Sequence, residues 1–461
     1  MVNNQEITRR ALTGPICPEK EFDLKRLIPA VRTLVKKHGI QYDPGTPVPW
    51  DDDLADRVWL AGRELICQVG VLCVDTERLI QFTPAELDQA LAHAPKSLVL
   101  GTGQQARRFP VRQPESGVPP LCSLGAAGAG VTSEDIFLSL ARAYAELPYT
   151  DIICSPSLTQ MDGMPVIAGS PLEVEACTRT ILLTREAARR AGRAGLGIAN
   201  TIATGVRSQG HIAGNSMAAT QHDLMEIGNL AELKIDFDNL SKVAYMQSRG
   251  HPILGETGPV LGGYGGGPEG CAVLMAAYHF FALLVLRAHV QHPFCPHFQL
   301  GSVTARETIW VRAVSEQAIT RHSEVPLLDT GTIASGPATG MSLYEAVGLV
   351  APAVASGSSV EVLAAAKGTH PDYLSPIEAL FGAEVAHAVA GMSRRDVNAL
   401  MLKVLERYES RLQDPPVGQR YQDCFDLMTR RPNQEALEHY RRVRADLHGL
   451  GLEFKAPPYY D

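Results

Sequence analysis

The sequence lacks the features that define several special classes of protein. Its nine cysteines are scattered and include no CxxC pair, which excludes a disulfide framework and predicts reduced thiols. Basic residues are not in excess, because 42 Lys and Arg stand against 50 Asp and Glu, and a net charge of −8 argues against binding to nucleic acid. Apolar residues at 45% exclude a disordered chain.

Long apolar runs are also missing. Residues 1–10 contain no continuous apolar stretch, because Val2 and Ile7 stand apart among polar and charged residues, so no secretory signal is expected. Residues 272–286 are apolar around His279, but they are fewer than the roughly 20 residues that a membrane span requires. We therefore predict a cytoplasmic protein with no membrane contact, and we interpret this segment as a helix buried between the core of the fold and a neighbouring subunit.

Glycine and proline, by contrast, are plentiful: 41 and 31 residues, as expected for many short connections between buried strands. From residue 97 onward, short apolar runs alternate with helical stretches. About eight such alternations favour an α/β fold of the (β/α)8 TIM-barrel type, with an open doubly wound sheet as the alternative. The candidate strands are residues 97–100, 121–124, 151–154, 196–200, 242–246, 297–301, 326–330 and 360–363.

The pattern divides the chain into three parts of one structural unit. Residues 1–96 are predicted to form a helical N-terminal extension packed on the barrel, 97–395 the barrel itself, and 396–461 a helical C-terminal extension. Thr83 with Glu86, and Ser170 with Glu173, have the spacing of capping boxes, which begin helices.

Common catalytic motifs are absent, including GxSxG, HExxH and the P-loop. A GxGxxA pattern begins at Gly101, but Arg107-Arg-Phe-Pro prevents the helix that dinucleotide binding needs, so we interpret it as a tight turn. His292, Cys295 and His297 lack a fourth ligand and the usual zinc spacing, so no metal site is predicted. His297 is expected to line a pocket or an interface.

A dense glycine cluster follows Glu256. Residues 262–267 contain five glycines in six positions, which either bring backbone close to a ligand or make room for a large group packed on the loop. Glu256 is either a catalytic or ligand-binding carboxylate at a strand end, or a loop carboxylate in water. Glu232 is interpreted more simply, as a partner of Lys234 or a group on a solvated face.

Together with these motifs, the chain resembles the monomethylamine methyltransferase family over about residues 20–454. The resemblance rests on segments spread in one order along the chain, such as Leu261-Gly-Gly-Tyr-Gly-Gly-Gly and Tyr421-Gln-Asp-Cys-Phe-Asp. The other segments are residues 71–78, 98–103, 132–137, 231–236, 304–308, 356–368 and 447–454. The resemblance implies a TIM barrel, a homo-oligomer and methyl transfer from a methylamine to a corrinoid protein.

The resemblance also implies site residues. Two active-site glutamates of the family fall on Glu226 and Glu256, and a pocket glutamine falls on Thr330, where this sequence departs from the family. The pyrrolysine of the best-known members falls near Thr201 or Ile202, neither of which is an electrophile. The substrate pocket is therefore expected to contain Thr201, Ile202, Thr330, Thr332 and His297, with Gly262, Gly263, Tyr264, Gly265 and Gly266 forming a loop that approaches the corrinoid partner.

These expectations lead to one hypothesis and two alternatives. The chain is predicted to move a methyl group from a methylated amine to the Co(I) corrinoid of a partner protein, while binding no cofactor itself. Without pyrrolysine, a quaternary amine or a sulfonium, whose leaving group is already activated, is the expected substrate. The first alternative is a non-catalytic amine-binding subunit of a methyl-transfer assembly. The second, an NAD oxidoreductase, rests on the GxGxxA pattern alone.

Overall fold

The computed structural model describes residues 2–199, 207–362 and 370–460. Helices occupy much of this part of the chain, and a π-helical segment, Phe22–Leu27, joins the second helix to the third. In chain order the helices are α1 (Asn4–Thr13), α2 (Glu19–Glu21), α3 (Ile28–His38), α4 (Asp52–Val69), α5 (Pro84–Ala92), α6 (Glu134–Glu146), α7 (Pro171–Arg190), α8 (Ser208–Ala218), α9 (Phe237–Arg249), α10 (Pro268–Leu284), α11 (Arg306–His322), α12 (Gly340–Ala355), α13 (Pro376–Val389), α14 (Arg394–Tyr408), α15 (Tyr421–Cys424) and α16 (Gln434–Gly449).

The strands are short, mostly two to five residues. They are β1 (Val71–Cys73), β2 (Arg78–Ile80), β3 (Leu98–Leu100), β4 (Arg107–Phe109), β5 (Cys122–Gly125), β6 (Gly130–Val131), β7 (Ile152–Cys154), β8 (Ser157–Leu158), β9 (Gln160–Met161), β10 (Met164–Pro165), β11 (Gly197–Ala199), β12 (Met225–Gly228), β13 (Lys234–Ile235), β14 (Ile253–Thr257), β15 (Val290–Pro293), β16 (Leu328–Asp329) and β17 (Ser359–Val362).

Eight parallel strands form the centre of this α/β fold. Five are hydrogen-bonded in the order β11–β7–β5–β17–β16, and three in the order β12–β14–β15. Single parallel bridges, Ala199 with Leu224 and Gln291 with Leu327, connect the edges of the two sheets. Each of the eight strands is followed by a helix, from α6 after β5 to α13 after β17. The carboxyl ends of parallel strands lie at one edge, which is where α/β folds usually carry their sites.

Six of the predicted strands are confirmed as β3, β5, β7, β11, β16 and β17, although β3 pairs with β4 in an antiparallel hairpin and not with the parallel strands. Two predictions were wrong: residues 242–246 lie in α9, and 297–301 form a loop. The strands that were missed, β12, β14 and β15, carry glutamate, histidine and glutamine in place of continuous apolar side chains. These polar residues interrupt the continuous apolar pattern by which a buried strand is recognised in a sequence.

The apolar helix α10 is covered by the chain itself. Residues 270–284 are all buried within the single chain, and α4 and α11 pack along α10. A Cβ atom on Gly62 of α4 would lie 2.4 Å from Cβ of Ala276, so the two helices approach each other closely. The interpretation that a neighbouring subunit buries this helix was therefore wrong, and the homo-oligomer stays a prediction without support from this surface.

The N-terminal part is not only helical. Strands β1 and β2 form a hairpin, and β1 also pairs in parallel with β13. This pairing anchors the N-terminal segment to the chain just after β12. Of the two capping boxes, that of Thr83 and Glu86 is present in full, whereas Ser170 makes no capping hydrogen bond. Glu173 instead accepts hydrogen bonds from the backbone N–H groups of Gly169 and Arg207.

The C-terminal helices α14 and α16 pack against α12 on the outside of the fold. Arg444 of α16 forms an ion pair with the buried carboxylate of Glu384 in α13. No helix among residues 2–199, 207–362 and 370–460 is long and apolar enough to cross a membrane. All nine cysteines are free thiols.

Candidate active site

Three glutamates lie together on the parallel strands, Glu226 near the start of β12 and the other two near the carboxyl ends of their strands. Glu226 is on β12, Glu256 on β14 and Glu361 on β17. In the parallel register Gly228 is opposite Glu256, so the two predicted glutamates are offset by two residues on neighbouring strands. Glu361 approaches from the other sheet, and its charge raises the pKa of Glu226. The carboxyl groups therefore share one region between the two parallel sheets.

Glu226 lies in negative surroundings formed by the other two glutamates. Burial raises the pKa of Glu226 well above its ordinary value, and the negative charge and hydrogen bonding of Glu256 raise it further. Its Oε2 atom is buried and has no hydrogen-bond partner among the described residues. Two carboxyl groups in contact cannot both ionise easily, so the proximity of Glu256 adds to the effect of burial on Glu226.

Glu361 is fully buried and held by donors from three other strands or their ends. Ser123 Oγ of β5 donates to Glu361 Oε2 at 3.0 Å, and Thr330 Oγ1, just after β16, lies 3.5 Å from Oε1. Burial raises the pKa of Glu361 to about 7, hydrogen bonds from the Cys154 thiol and Ser123 oppose the rise, and the charge of Glu256 adds to it. Glu361 is thus balanced between its neutral and ionised forms near neutral pH.

His292 completes the polar lining on β15, opposite Glu256 in the strand register. Its Nε2 atom lies 3.6 Å from Glu361 Oε1, and neither ring nitrogen has a hydrogen-bond partner among the described residues. Burial lowers the pKa of His292 to about 3, so the ring is neutral and brings no positive charge to the carboxyl groups.

A second histidine fixes the backbone beneath Glu226. His211 Nε2 of α8 donates to the carbonyl oxygen of Glu226 at 2.9 Å, because a carbonyl can only accept. Its Nδ1 then accepts from Asn215 Nδ2 at 3.3 Å. Burial lowers the pKa of His211 to about 4, so this arrangement is held by a neutral ring. His211 positions Glu226 without contacting its carboxyl group.

The other predicted pocket residues are divided between the site and its surrounding loops. Thr330 lies beside Glu361, as described above. His297 Nδ1 accepts the backbone N–H groups of Gln299 and Leu300, and Thr332 Oγ1 donates to Gly301 O at 2.6 Å. Both therefore order the loop after β15, and neither is hydrogen-bonded to a carboxyl group of the site in the described residues. Thr201 and Ile202 lie outside the described residues.

The glycine-rich loop follows β14 at the same edge. Gly265 faces inward, where an added Cβ would lie 2.7 Å from Leu274 of α10. Gly262 and Gly266 have positive φ angles and are exposed, and an added Cβ on Gly266 would meet nothing within 4 Å. Tyr264 is exposed as well, and Lys234 Nζ lies 5.3 Å from its ring centroid. An added Cβ on Gly262 would lie 3.4 Å from Cβ of Phe298 in the next loop. Packing against α10 thus explains why residue 265 is a glycine, but it does not explain the glycine at position 266.

Glu232 holds this loop from below, and the interpretation of it as a solvated residue was wrong. Its side chain is buried and Oε1 accepts from the backbone N–H of Val260 at 3.2 Å. Burial raises the pKa of Glu232 to about 7, while the N–H groups of Val260 and Gly265 oppose the rise. Lys234 instead pairs with Glu19 and Asp23 of the N-terminal segment.

Two further features of the described residues concern metal binding and clefts. No group of three or more His, Cys, Asp or Glu in the described ranges could hold a metal ion. A cleft of about 870 Å³ lies elsewhere, between the start of α6, the β9–β10 hairpin and α7, and includes Gln160, Met161 and Arg179. The GxGxxA segment is the turn between β3 and β4, as expected.

The sequence analysis missed Glu361, Ser123 and His211. Glu361 lies inside a predicted strand, and the signal that pointed to Glu256, a carboxylate in an apolar strand, applies to it equally. Ser123 and His211 carry no comparable signal, because their roles arise from neighbours distant in sequence.

Comparison with known proteins gives one consistent result over nearly the whole chain. A family model described as monomethylamine methyltransferase MtmB matches residues 2–452. MtmB1 of Methanosarcina barkeri is 31% identical over 449 residues, which cover 96% of this chain and 97% of the relative. MtmB of Methanosarcina mazei has the same identity and coverage.

Solved structures agree with the sequence matches. The crystal structure of the Methanosarcina barkeri monomethylamine methyltransferase superposes with a TM-score of 0.94 at 30% identity and covers 98% of this chain and 99% of the other. A crystal structure of a hydroxylamine complex of MtmB gives the same values. The chain belongs to the monomethylamine methyltransferase family.

Membership in the monomethylamine methyltransferase family makes this chain an enzyme of the transferase class. It confirms the family to which the sequence motifs pointed. The family match includes the three carboxyl groups, the glycine-rich loop and both terminal extensions up to residue 452.

Proposed function

We propose that this chain transfers a methyl group from a cationic methylated amine to the corrinoid of a partner protein. The observation that carries the proposal is the group of three carboxyls, Glu226, Glu256 and Glu361, on three parallel strands at one edge. A methylated nitrogen that bears a positive charge is the ligand that such a group stabilises best. The family membership supplies the reaction class.

The methyl group moves without its bonding electrons in this reaction. The C–N bond breaks, its electron pair stays on nitrogen, and a neutral amine leaves. The corrinoid of the partner, when bound, supplies the Co(I) nucleophile that accepts the methyl group. The glutamates hold the nitrogen and thereby direct its methyl group away from the carboxyl cluster, toward the open edge of the strands.

The leaving group must be cationic before transfer. Thr201 and Ile202 stand where the family resemblance places pyrrolysine, and neither side chain forms an adduct with an amine. A quaternary amine carries its charge permanently and leaves as a neutral tertiary amine, so it is the substrate that we propose first. A protonated amine is the second member of the same class, and the assay below separates the two.

The glycine-rich loop supplies a surface for the partner. Gly262, Tyr264 and Gly266 are exposed at the edge where β14 ends, and exposed Phe298 adjoins them. Tyr264 and Phe298 are apolar anchors of the kind found at protein interfaces. The open face above Gly266 fits a flat, bulky group such as a corrinoid, so we assign this surface to the partner that carries it.

The proposal also concerns the closure of the two parallel sheets into a barrel. The two parallel sheets meet at the bridges of Ala199 with Leu224 and of Gln291 with Leu327. We propose that the eight strands close into one (β/α)8 barrel through these two edges. Closure explains how Glu361 of one sheet comes beside Glu226 and Glu256 of the other.

The proposal is tested with purified protein, Co(I) cobalamin and a panel of methylated amines from monomethylamine to tetramethylammonium. Formation of methylcobalamin is followed by its absorbance. We expect methylation from a cationic amine, and a rate loss of about 100-fold or more for Glu256→Gln, since the neutral amide no longer balances the charge of the nitrogen.

Glu453→Gln is the matched control, because Glu453 is an exposed glutamate on the C-terminal segment and should leave the rate unchanged. Methylation from monomethylamine but from no quaternary amine would exclude the quaternary substrate. Absence of methylation from every amine would favour an amine-binding subunit without turnover.

A further inference from the structure

We propose that Glu361 is a third substrate-contacting carboxylate, which takes up part of the positive charge of the methylated amine and releases a proton when the amine binds. This inference rests on the proposed function and adds to it a residue and a proton linkage. The sequence resemblance points only to the other two glutamates.

The contacts of Glu361 fix it as a preorganised acceptor. Ser123 Oγ donates to one carboxyl oxygen at 3.0 Å, and Thr330 Oγ1 lies 3.5 Å from the other. The donors come from the ends of strands on both sides of β17, because β5 and β16 are its neighbours in the sheet. The side chain is therefore held in place while its charge remains without a cationic partner among the described residues.

The unpartnered ring nitrogens of His292 are a second observation, separate from the contacts of Glu361, that points to a bound ligand. The side chain of His292 is 1% exposed, and neither ring nitrogen has a hydrogen-bond partner in the described part of the chain. Buried polar nitrogens rarely stay unpartnered in native proteins, because the loss of their hydrogen bonds to water is uncompensated. Nε2 lies 3.6 Å from Glu361 Oε1, so the open position borders Glu361.

The charges around Glu361 favour a cation that arrives with the ligand. Glu256 of β14 and Glu226 of β12 are acidic, the Cys154 thiol of β7 only donates a hydrogen bond, and His292 of β15 is neutral. Lys242 of α9 acts on Glu226, where its charge partly opposes the rise in pKa. With a pKa of about 7, Glu361 carries its proton in a large share of molecules at neutral pH.

A cation in this position would ionise Glu361 because its charge stabilises the carboxylate. The proton leaves Glu361 for the solvent, and no bond to the ligand forms or breaks in this step. The amine should therefore bind with release of protons, and binding should strengthen as the pH rises through about 7.

Calorimetric titration of the full chain with tetramethylammonium and with methylammonium measures this linkage directly. Titrations in two buffers of different ionisation enthalpy give the number of protons released. At about pH 7 we expect release in the wild type and roughly half a proton less in Glu361→Gln, because a group with a pKa of about 7 is about half protonated there. The variant should also bind the cation about tenfold more weakly. Glu361→Asp retains the charge and should recover most of the release.

Glu384→Gln is the matched control. Glu384 is also buried, with a pKa raised to about 6, but it contacts Tyr440 and Arg444 of the C-terminal helix. Its replacement should leave the affinity and the proton release unchanged. Should Glu361→Gln fail to fold, Ser123→Ala gives a second test. Removal of this donor should raise the pKa of Glu361 further, so the cation should release more protons from the variant than from the wild type, and unchanged release would overturn the inference.

The outcomes separate the inference from the proposed function. Binding without proton release, equal affinity in wild type and Glu361→Gln, or no binding of either cation overturns the inference. Cation binding with proton release but without methyl transfer to cobalamin retains the inference and overturns the proposed reaction. Methyl transfer by the wild type, together with unchanged cation binding in Glu361→Gln, would retain the proposed reaction and overturn the inference.

Discussion

At the scale of single residues, the protein buries several carboxyl groups in surroundings that favour their neutral form. Glu226, Glu232 and Glu361 all have raised pKa values, in each case chiefly because of burial. Two of them serve the site, whereas Glu232 holds the glycine-rich loop through Val260. Burial of these carboxyl groups costs free energy, which the rest of the fold must offset.

Glu232 gives a prediction for stability against pH. A carboxyl whose pKa is about 7 in the folded chain, against 4.5 when unfolded, binds more protons in the folded state between these values. Its contribution to the free energy of unfolding therefore falls as the pH rises from 4.5 to about 7, by an amount on the order of 3 kcal/mol.

Glu232→Gln keeps an oxygen for the Val260 N–H and removes the charge. We expect denaturant unfolding of the variant to lose less stability than the wild type between about pH 5 and about pH 8. Glu324→Gln, at an exposed side chain, should behave like the wild type. Equal losses in Glu232→Gln and the wild type would contradict the burial argument.

At the scale of elements, the close approach of α4 and α10 determines how the N-terminal segment covers the apolar helix. Ala normally stabilises a helix by about 1 kcal/mol relative to Gly. In Gly62→Ala, however, the new methyl group would lie 2.4 Å from Ala276 Cβ. We expect the free energy of unfolding to fall by about 1–3 kcal/mol, because the helices must separate.

The control for Gly62→Ala is the same substitution at Gly449. This glycine also lies in a helix, and an added Cβ would meet nothing within 4 Å. Chemical unfolding of the two variants should give changes of opposite sign, or a loss at Gly62 alone. A gain in stability at Gly62 would show that the two helices are not in close contact.

At the scale of the whole molecule, the N-terminal extension and the parallel strands are joined by several independent contacts. Strand β1 pairs with β13, Lys234 binds Asp23, and the ring of Trp59 in α4 packs at a tilt against that of Phe280 in α10. The extension also buries one face of α10, which could not remain exposed to water without a large loss of hydrophobic free energy. The parts should therefore unfold together.

Cooperative unfolding can be measured with two probes. Tryptophan fluorescence reports on Trp50, Trp59 and Trp310, two of which lie in the N-terminal segment, and far-ultraviolet circular dichroism reports on all helices. We expect coincident denaturation midpoints for the two signals. Separate transitions would mean that the extension unfolds on its own. Sedimentation of the native protein would test the predicted homo-oligomer in the same preparation.

The sequence by itself determined the α/β class, because short apolar runs and helices alternate with a regular spacing. It also indicated Glu226 and Glu256, the second because a carboxylate at an apolar strand end has few structural uses, and the first through family resemblance. It could not reveal β12, β14 and β15, since their polar side chains interrupt the apolar pattern.

Only the tertiary structure decided which carboxyls meet. Glu226 and Glu361 are 135 residues apart in the chain, and they come together because the strands that carry them face one interior. The same holds for Glu232, whose burial depends on the glycine-rich loop folding over it, and for α10, which is covered by α4 rather than by a second subunit. Residue type and local spacing determine which elements form, whereas burial and charge depend on the neighbours that folding brings from elsewhere in the chain.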